Sequence, residues 1–561
     1  MKYNIKDFEI MAPVGSRESL AAAIQAGANS IYFGIENLNM RARSAKTFTI
    51  EDLKEIATTC DKHDVKSYLT VNTIIYDEDM ELMKTIVNAA KEANISAIIA
   101  SDVAVMLYAN SIGQEVHLST QLNITNVESL RFYAQFADVV VLARELNLEQ
   151  VRQIHEQIEK ENICGPNGKQ IRIEMFCHGA LCMAVSGKCY LSLHEMNHSA
   201  NRGACMQICR RAYNVTDKDT GAELEIDNEY IMSPKDLKTI HFMNKMIDAG
   251  VRVFKIEGRA RGPEYVKTVV SCYKEAIQAY LEDSFTDQKI EQWDNKLKTV
   301  FNRGFWDGYY LGQRLGEWSK NYGSEATERK VYVGKGIKYF TNIQVAEFKA
   351  QAGLLKEGDK ILITGPTTGA IYATLEEPRV DLKPVKEVNK GQNFSFKIKD
   401  KIRPNDKLYK IVPASKLERK KYNNMSKYIF ELEMKVRTYE CDLQGIVNHA
   451  NYLHYLEHTR HEFLDTLNIS IAELHDKGID PVIARANLAF KTPLTSGDYY
   501  ISKLYIKKEG IKYAFHQDIF RKSDNKLVIR AVVESVCIVN GKLAHNSLFD
   551  EAFAPFLENH E

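Results

Sequence analysis

Across the first 281 residues, short apolar runs alternate with amphipathic stretches, and that alternation restricts the segment to a βα architecture. The runs fall at 8–13 (FEIMAP), 30–34 (SIYFG), 66–72 (KSYLTVN), 97–100, 115–119 (EVHLS), 138–142 (DVVVL), 171–176 (IRIEMF) and 251–256 (VRVFKI). Stretches with helical spacing, such as 50–63 and 234–248, separate most of them. Eight such repeats predict a (β/α)8 TIM-like barrel over 1–281, with a doubly wound sheet as the alternative. The segment 177–230 lacks this periodicity and reads as an insertion after the seventh strand.

At 561 residues the chain exceeds what one core can organise, so the fold class expected is multidomain α/β. Residues 282–327 read as a helical connector ending in NRGFWDGYYLG (302–312). From 328 to 412, short strands separated by turn signals at GDK, TGPTTG and NDK predict a small β-barrel domain. A linker at 413–427 follows; over 401–427 there are nine Lys/Arg against two acidic residues, which suits a solvated linker or an RNA-facing patch. Residues 428–561 open with YIFELEMKVR, which alternates cleanly. A helix at about 449–467 and strands at 498–507, 511–521 and 527–539, with a turn at Asn540-Gly541, complete an α+β unit whose sheet wraps the helix. Basic and acidic residues both number 74, so no global basic coat is present. No run nears the ~18 apolar residues of a membrane span, and the charged start carries no secretory pattern, so a cytoplasmic chain with no membrane partner is expected.

Five of the ten cysteines cluster in EMFCHGALCMAVSGKCYLS (174–192) and NRGACMQICRR (201–211). The spacing Cys182-x6-Cys189-x15-Cys205-x3-Cys209 offers four thiolates to zinc or to an iron–sulfur cluster. Only the second pair has zinc-knuckle spacing, and the glycine-bearing loops leave room for a cubane. Arg202, Arg210 and Arg211 are candidates to offset the thiolate charge, and Cys177 is left outside the ligand set.

These stretches resemble the signature of the collagenase-like peptidase family. Further matches are APVGSRESLAAAIQAGANSIYFG (12–34), HLSTQ (117–121) and MSPKDL…AGVRVFKIEGRARGPEYV (232–266). The resemblance spans residues 8 to about 412 and is strongest to the tRNA uridine-5-hydroxylation branch. It implies a [4Fe-4S] cluster on Cys182, Cys189, Cys205 and Cys209, a requirement for prephenate, and tRNA as partner. Independently, strand-end positions gather polar residues where a barrel builds its site. His117 and Glu257 are catalytic candidates there; Asn72, Ser119, Gln121, Arg144, Glu174, Lys255 and Arg259 are substrate-binding candidates. Lys255 and Arg259 are suited to a dicarboxylate such as prephenate. Proteolysis finds little support: there is no HExxH helix, and Cys177-His178 are adjacent on a strand and point to opposite faces.

The segment RTYECDLQGIVNHANYLHYLEHTR (437–460) resembles the 4-hydroxybenzoyl-CoA thioesterase family, a hotdog fold, over 428 to about 558. The resemblance implies a catalytic Asp442 seven residues before His449, with Asn451 and Tyr452 in the same motif, an acyl-CoA substrate, and a dimer or tetramer. Glu440 stands where the family usually has Asp, which bears on substrate preference. Asp442 can act as general base or nucleophile on a thioester, and helix-start N–H groups near His449–Tyr452 can hold the oxyanion. His454 and His458 read as helix-surface residues. The expectation is a bifunctional fusion of an iron–sulfur RNA-hydroxylation module and a thioesterase. The alternatives are a peptidase fused to a thioesterase, and a tRNA-binding module dimerised by a non-catalytic hotdog.

Overall fold

In the computed structural model, strands β1 (Glu9–Pro13), β2 (Ser30–Phe33), β3 (Lys66–Val71), β4 (Ala97–Ala100), β5 (Val116–Leu118), β6 (Val139–Val141) and β7 (Arg172–Ala180) pair in parallel in chain order. After the short β8 (Asp236–Lys238), β9 (Val251–Ile256) pairs in parallel with both β7 and β1. The eight parallel strands therefore close into a barrel, which rules out the open doubly wound sheet. The structure describes residues 3–35, 38–40, 48–211, 213, 232–313, 316–319, 323–414, 428–539, 541–544 and 547–557. It falls into two units, Met1–Ser415 and Lys416–Glu561. Residues 214–231 of the cysteine insertion, Asn540 of the expected turn and 415–427 of the basic linker lie outside the described residues.

The stretch 234–248 is not one helix. It opens as β8, continues through a tight turn at Ile240–Phe242 and becomes helical only over Met243–Asp248. The cause is β7, which runs on to Ala180 and offers an edge that β8 covers antiparallel, with Ala180 opposite Asp236. A tenth strand, β10 (Phe305–Trp306), pairs with β8 inside the expected helical connector, where the helix covers only Asp287–Lys298. The barrel interior is filled by Met11, Tyr32, Tyr68, Ile99, Val139 and Val253, and the outward strand faces pack on the helices.

At the N-terminal end of the barrel, Glu9, Lys66 and Arg172 are the first residues of β1, β3 and β7. The buried Glu9 carboxylate accepts from the Tyr68 hydroxyl at 2.7 Å and from Arg172 at 2.9 Å. Burial opposes its charge most strongly, yet Arg172, Lys66, His117 and Tyr68 together outweigh burial and hold the carboxyl at about 2, against 4.5 ordinarily. A folded value below the unfolded one means this stabilisation is complete above pH 4.5 and is lost as pH falls towards 2. Such a shift corresponds to about 3 kcal/mol. Glu9→Gln is expected to lower the melting temperature at pH 7, and to lower it progressively less between pH 4.5 and 3. Calorimetry showing an equal deficit at both pH values would contradict the network.

The remainder of the first unit is an eight-stranded antiparallel sheet whose spine, Glu328–Phe340, lies between Val345–Ala350 and Lys407–Pro413. Register shifts after Tyr332 and after Gly336 bend it over Phe348, Phe394 and Phe396, stacked 5.5–6.2 Å apart. At Gly334 a Cβ would meet the Lys349 carbonyl oxygen at 2.0 Å, so the strands approach closely only because glycine stands there. Among the described residues the end strands Gly369–Thr374 and Lys383–Pro384 do not pair. The sheet is curved but its ladder is open, where a closed small barrel was expected.

The second unit is an antiparallel sheet in the order Phe430–Lys435, Tyr499–Glu509, Lys512–Arg521, Leu527–Val539, Ile479–Phe490. The helix His449–Thr466 buries Tyr455, Leu456, Thr459 and Phe463. Phe463 packs with Leu504, Phe515 and Phe553, the last from a closing helix Ser547–Leu557. The twelve-residue edge strand Ile479–Phe490 was absent from the sequence reading: its side chains are largely exposed, so it carries no apolar alternation. No helix among the described residues is long and apolar enough to cross a membrane.

Candidate functional site

A cavity of about 240 Å3 opens at the C-terminal ends of the barrel strands, and all four candidate ligands, Cys182, Cys189, Cys205 and Cys209, line it. Cys182 follows β7 by two residues. Cys189 precedes the short helix Leu191–Met196, Cys205 follows a turn at Ala200–Arg202, and Cys209 lies in a turn at Ile208–Arg210. Gly187, with φ +72°, lets the loop return against Gln121, whose Cβ lies 2.9 Å from where a side chain would begin. The Cys189 thiol is pushed up by burial first and then by Cys182 and Cys205. Cys209 is pushed up by burial and by the other three thiols, with Arg210 opposing. The four thiols therefore share one electrostatic environment.

Among the described residues no three His, Cys, Asp or Glu side chains converge on one point as the ligands of a single ion must. Four thiols around one shared cavity form a donor set of the kind that zinc or an iron–sulfur cluster takes. Of the three arginines expected to balance the thiolates, only Arg210 acts on them. Arg202 pairs with Asp79 and stacks 3.9 Å over Tyr76, while Arg211 reaches the Met196 sulfur.

The strand-end candidates divide by depth. Asn72, Ser119, Gln121, Arg144, Lys255, Glu257 and Arg259 line the cavity. Asn72 donates to the Ser119 hydroxyl at 3.3 Å, and Arg259 donates to Thr70 Oγ1 at 2.9 Å. Arg144 donates to the Ser186 hydroxyl and lies 5.3 Å over the Phe176 ring. Glu174 is fully buried one layer deeper and holds Lys255 in an ion pair of 2.7 Å through Oε1. The Lys255 ammonium is thereby matched within the protein, while both Lys255 and Arg259, the two cations suited to a dicarboxylate, line the cavity. Tyr32, absent from the sequence reading, donates to the Ile256 carbonyl at 2.9 Å; its hydroxyl also lies 3.3 Å from Glu257 Oε2, and its ring lies 4.9 Å from the Lys255 ammonium. Period-two alternation along SIYFG was the signal that could have pointed it inward.

His117 does not reach the cavity. It is buried against Tyr68 with ring centroids 4.5 Å apart, and its Nε2 lies 3.1 Å from Glu115 Oε1 in the layer above Glu9. Inward positions recur every second residue, so Ser119, not His117, is the one that meets the rim.

In the second unit, Asp442 opens an exposed turn in which its Oδ1 accepts the Gln444 N–H at 2.8 Å and its carbonyl accepts the Gly445 N–H. Leu443 at the tip is fully exposed. Asn448 caps the helix by accepting the Ala450 N–H, and its carbonyl takes the Asn451 N–H. Among the described residues this leaves the His449 N–H without an acceptor in the first turn. Asn451 and Tyr452, catalytic candidates by resemblance, both bind backbone groups. The Asn451 amide holds the Glu440 carbonyl at 2.8 Å, and the buried Tyr452 hydroxyl accepts the Leu494 N–H. Glu440 turns inward as well: its Oε2 accepts from the Tyr455 hydroxyl at 2.8 Å and from the Arg437 N–H at 2.6 Å. These bonds tie the loop before the helix to the helix itself.

Peptidase family U32 matches residues 15–320, more than half the chain. The chain belongs to that family. The Thioesterase-like superfamily matches residues 436–557. A collagenase of Porphyromonas gingivalis is 69% identical over 72% of this chain and 98% of its own length. That relative has no length left for the thioesterase-like segment. The tRNA hydroxylation protein P1 of Bacillus subtilis is 34% identical over 66% of this chain and 86% of its own. The 23S rRNA 5-hydroxycytidine C2501 synthase of Escherichia coli is 33% identical over 55% of this chain and 46% of its own. Among solved structures, 24% of the chain is similar to a 1,4-dihydroxy-2-naphthoyl-CoA thioesterase from Synechocystis, at 20% identity, 98% coverage of that chain and a TM-score of 0.22. For this U32 chain, Cys177-His178 offers no nucleophile and base. Burial pushes the Cys177 thiol well up, and burial, then Lys238, lowers His178 to about 3. Both sit in the core, with the Tyr273 hydroxyl donating to the Cys177 carbonyl.

Proposed function

We propose that the barrel unit is an iron–sulfur protein that hydroxylates RNA at a pyrimidine, tRNA wobble uridine foremost, and that the second unit hydrolyses an acyl-CoA thioester. The observation that carries the first part is one cavity lined by four cysteines and by cationic strand ends. Cys182, Cys189, Cys205 and Cys209 would hold a [4Fe-4S] cluster, which supplies redox and Lewis-acid chemistry when bound. Arg144 and Arg259, each hydrogen-bonded to a hydroxyl, orient an anionic ligand such as the prephenate carboxylates or a phosphate. Glu257, the one carboxylate among the described lining residues, is placed to hold or move a proton at the cavity, with the Tyr32 hydroxyl 3.3 Å from its Oε2. Match length favours tRNA over rRNA, since 86% of the tRNA relative is covered against 46% of the rRNA one.

In the second unit Asp442 attacks or activates water at the thioester carbonyl, and the His449 N–H supports the oxyanion. The exposed turn and the exposed edge strand Ile479–Phe490 favour a second copy of the unit completing this site as a homo-oligomer. Cytoplasmic residence fits both substrates.

The name of the 69%-identical relative favours a second reading, peptide hydrolysis at the barrel cavity. Nucleoside analysis of RNA from a deletion strain separates the two. Loss of hydroxylated pyrimidine, with no gelatin or casein cleavage by the purified protein, is the expected result. Unchanged nucleosides and cleavage by metal-free protein would establish the peptidase instead.

A further inference from the structure

We infer that the outward face of the β-domain sheet is a docking surface for the phosphate backbone of RNA, an inference that rests on the RNA reading above. Its centre is a row of three lysines on adjacent strands. Lys335 of the strand Glu328–Phe340 pairs directly with Lys349 on one side and with Lys407 on the other. Directly paired residues project to the same face, and strands lie about 4.8 Å apart, so the three stems rise within about 10 Å. Burial along Val345–Ala350 and Asn393–Lys397 alternates, with Phe348, Phe394 and Phe396 inward and Lys349 and Lys397 outward.

Like charges directly opposite destabilise a sheet, so the row needs a reason. Three other lysines of the same sheet are matched: Lys330 pairs with Glu264, Lys360 with Glu328 and Lys410 with Asp359. Among the described residues, Lys335, Lys349 and Lys407 have no carboxylate within ion-pair distance. Lysines often guard sheet edges against aggregation, but these strands are central in the sheet order, so that explanation fails. Lys338 and Lys397 extend the face, against a single acid, Glu347, opposite Lys338. Lys338 also lies 5.0 Å over the exposed ring of Phe340. A cationic face with an exposed aromatic complements a polyanion that carries unpaired bases.

The test measures binding of unfractionated tRNA to the full-length, cluster-loaded protein across a potassium chloride series. Each phosphate contact contributes about 0.7 to 0.9 to the log–log salt slope. Lys335→Glu removes one contact and pairs with the two flanking lysines. It is expected to weaken binding by at least about tenfold at low salt and to reduce the slope by two to three. Its melting temperature should hold or rise, because repulsion in the row becomes attraction; Lys349→Glu should weaken binding with a smaller change of slope. Wild-type affinity and slope in both variants, with tRNA still bound, would overturn the docking surface and leave the RNA reading standing. No salt-dependent tRNA binding by the wild type would sink both. Binding to phosphatidylserine vesicles in preference to tRNA, abolished by Lys335→Glu, would reassign the face to a membrane and likewise overturn the inference.

Discussion

Replacing Cys205 with serine is expected to reduce hydroxylated pyrimidine in cellular RNA to the level of a deletion strain, while thioester hydrolysis by the same protein is unchanged. Cys205 supplies one corner of the cavity, and serine oxygen is a poor substitute for a thiolate that must bind iron. The independent folding cores of the two units explain why the second activity survives. Cys177→Ser is the control. Cys177 lies in the core outside the cavity, so its substitution should cost stability, about 1–3 kcal/mol for a buried hydroxyl without a designed partner, and spare hydroxylation. Equal loss in both variants would mean that the cysteines matter only to folding.

Asp442→Asn is expected to lower kcat/KM for an acyl-CoA by about 100- to 10,000-fold, the usual worth of a positioned acid–base group. In free energy that is about 3–5 kcal/mol of transition-state stabilisation. Asparagine keeps an oxygen to accept the Gln444 N–H, so the turn is retained and the loss reports on chemistry. Folding is checked by an unchanged melting temperature. Full activity in the variant would remove Asp442 from the site. Absence of activity in the wild type would leave the second unit as a dimerising module.

The barrel was legible because most of its strands are short, largely apolar and followed by a helical period, a pattern that survives without any tertiary knowledge. That the four cysteines would gather at one place was legible from their spacing, and Asp442 was singled out by the thioesterase-family resemblance. What was lost is what depends on register or on distant partners. β8 and β10 are three and two residues long and exist because β7 overruns its expected end. His117 was placed at the rim because alternation gives a side and not a depth. Arg202 was assigned to the thiolates because its partner, Asp79, lies more than a hundred residues away in sequence. Nothing local announces that Tyr455, fifteen residues on, will bind the Glu440 carboxylate. The Lys407–Lys335–Lys349 row is likewise invisible until the strands are aligned.

The central claim is the cluster, and its most direct test is the iron, acid-labile sulfide and zinc content of anaerobically purified protein. About four iron and four sulfide per chain, with no stoichiometric zinc, are expected. One zinc per chain with no sulfide would contradict the iron–sulfur assignment and bring the hydrolytic reading of the barrel forward.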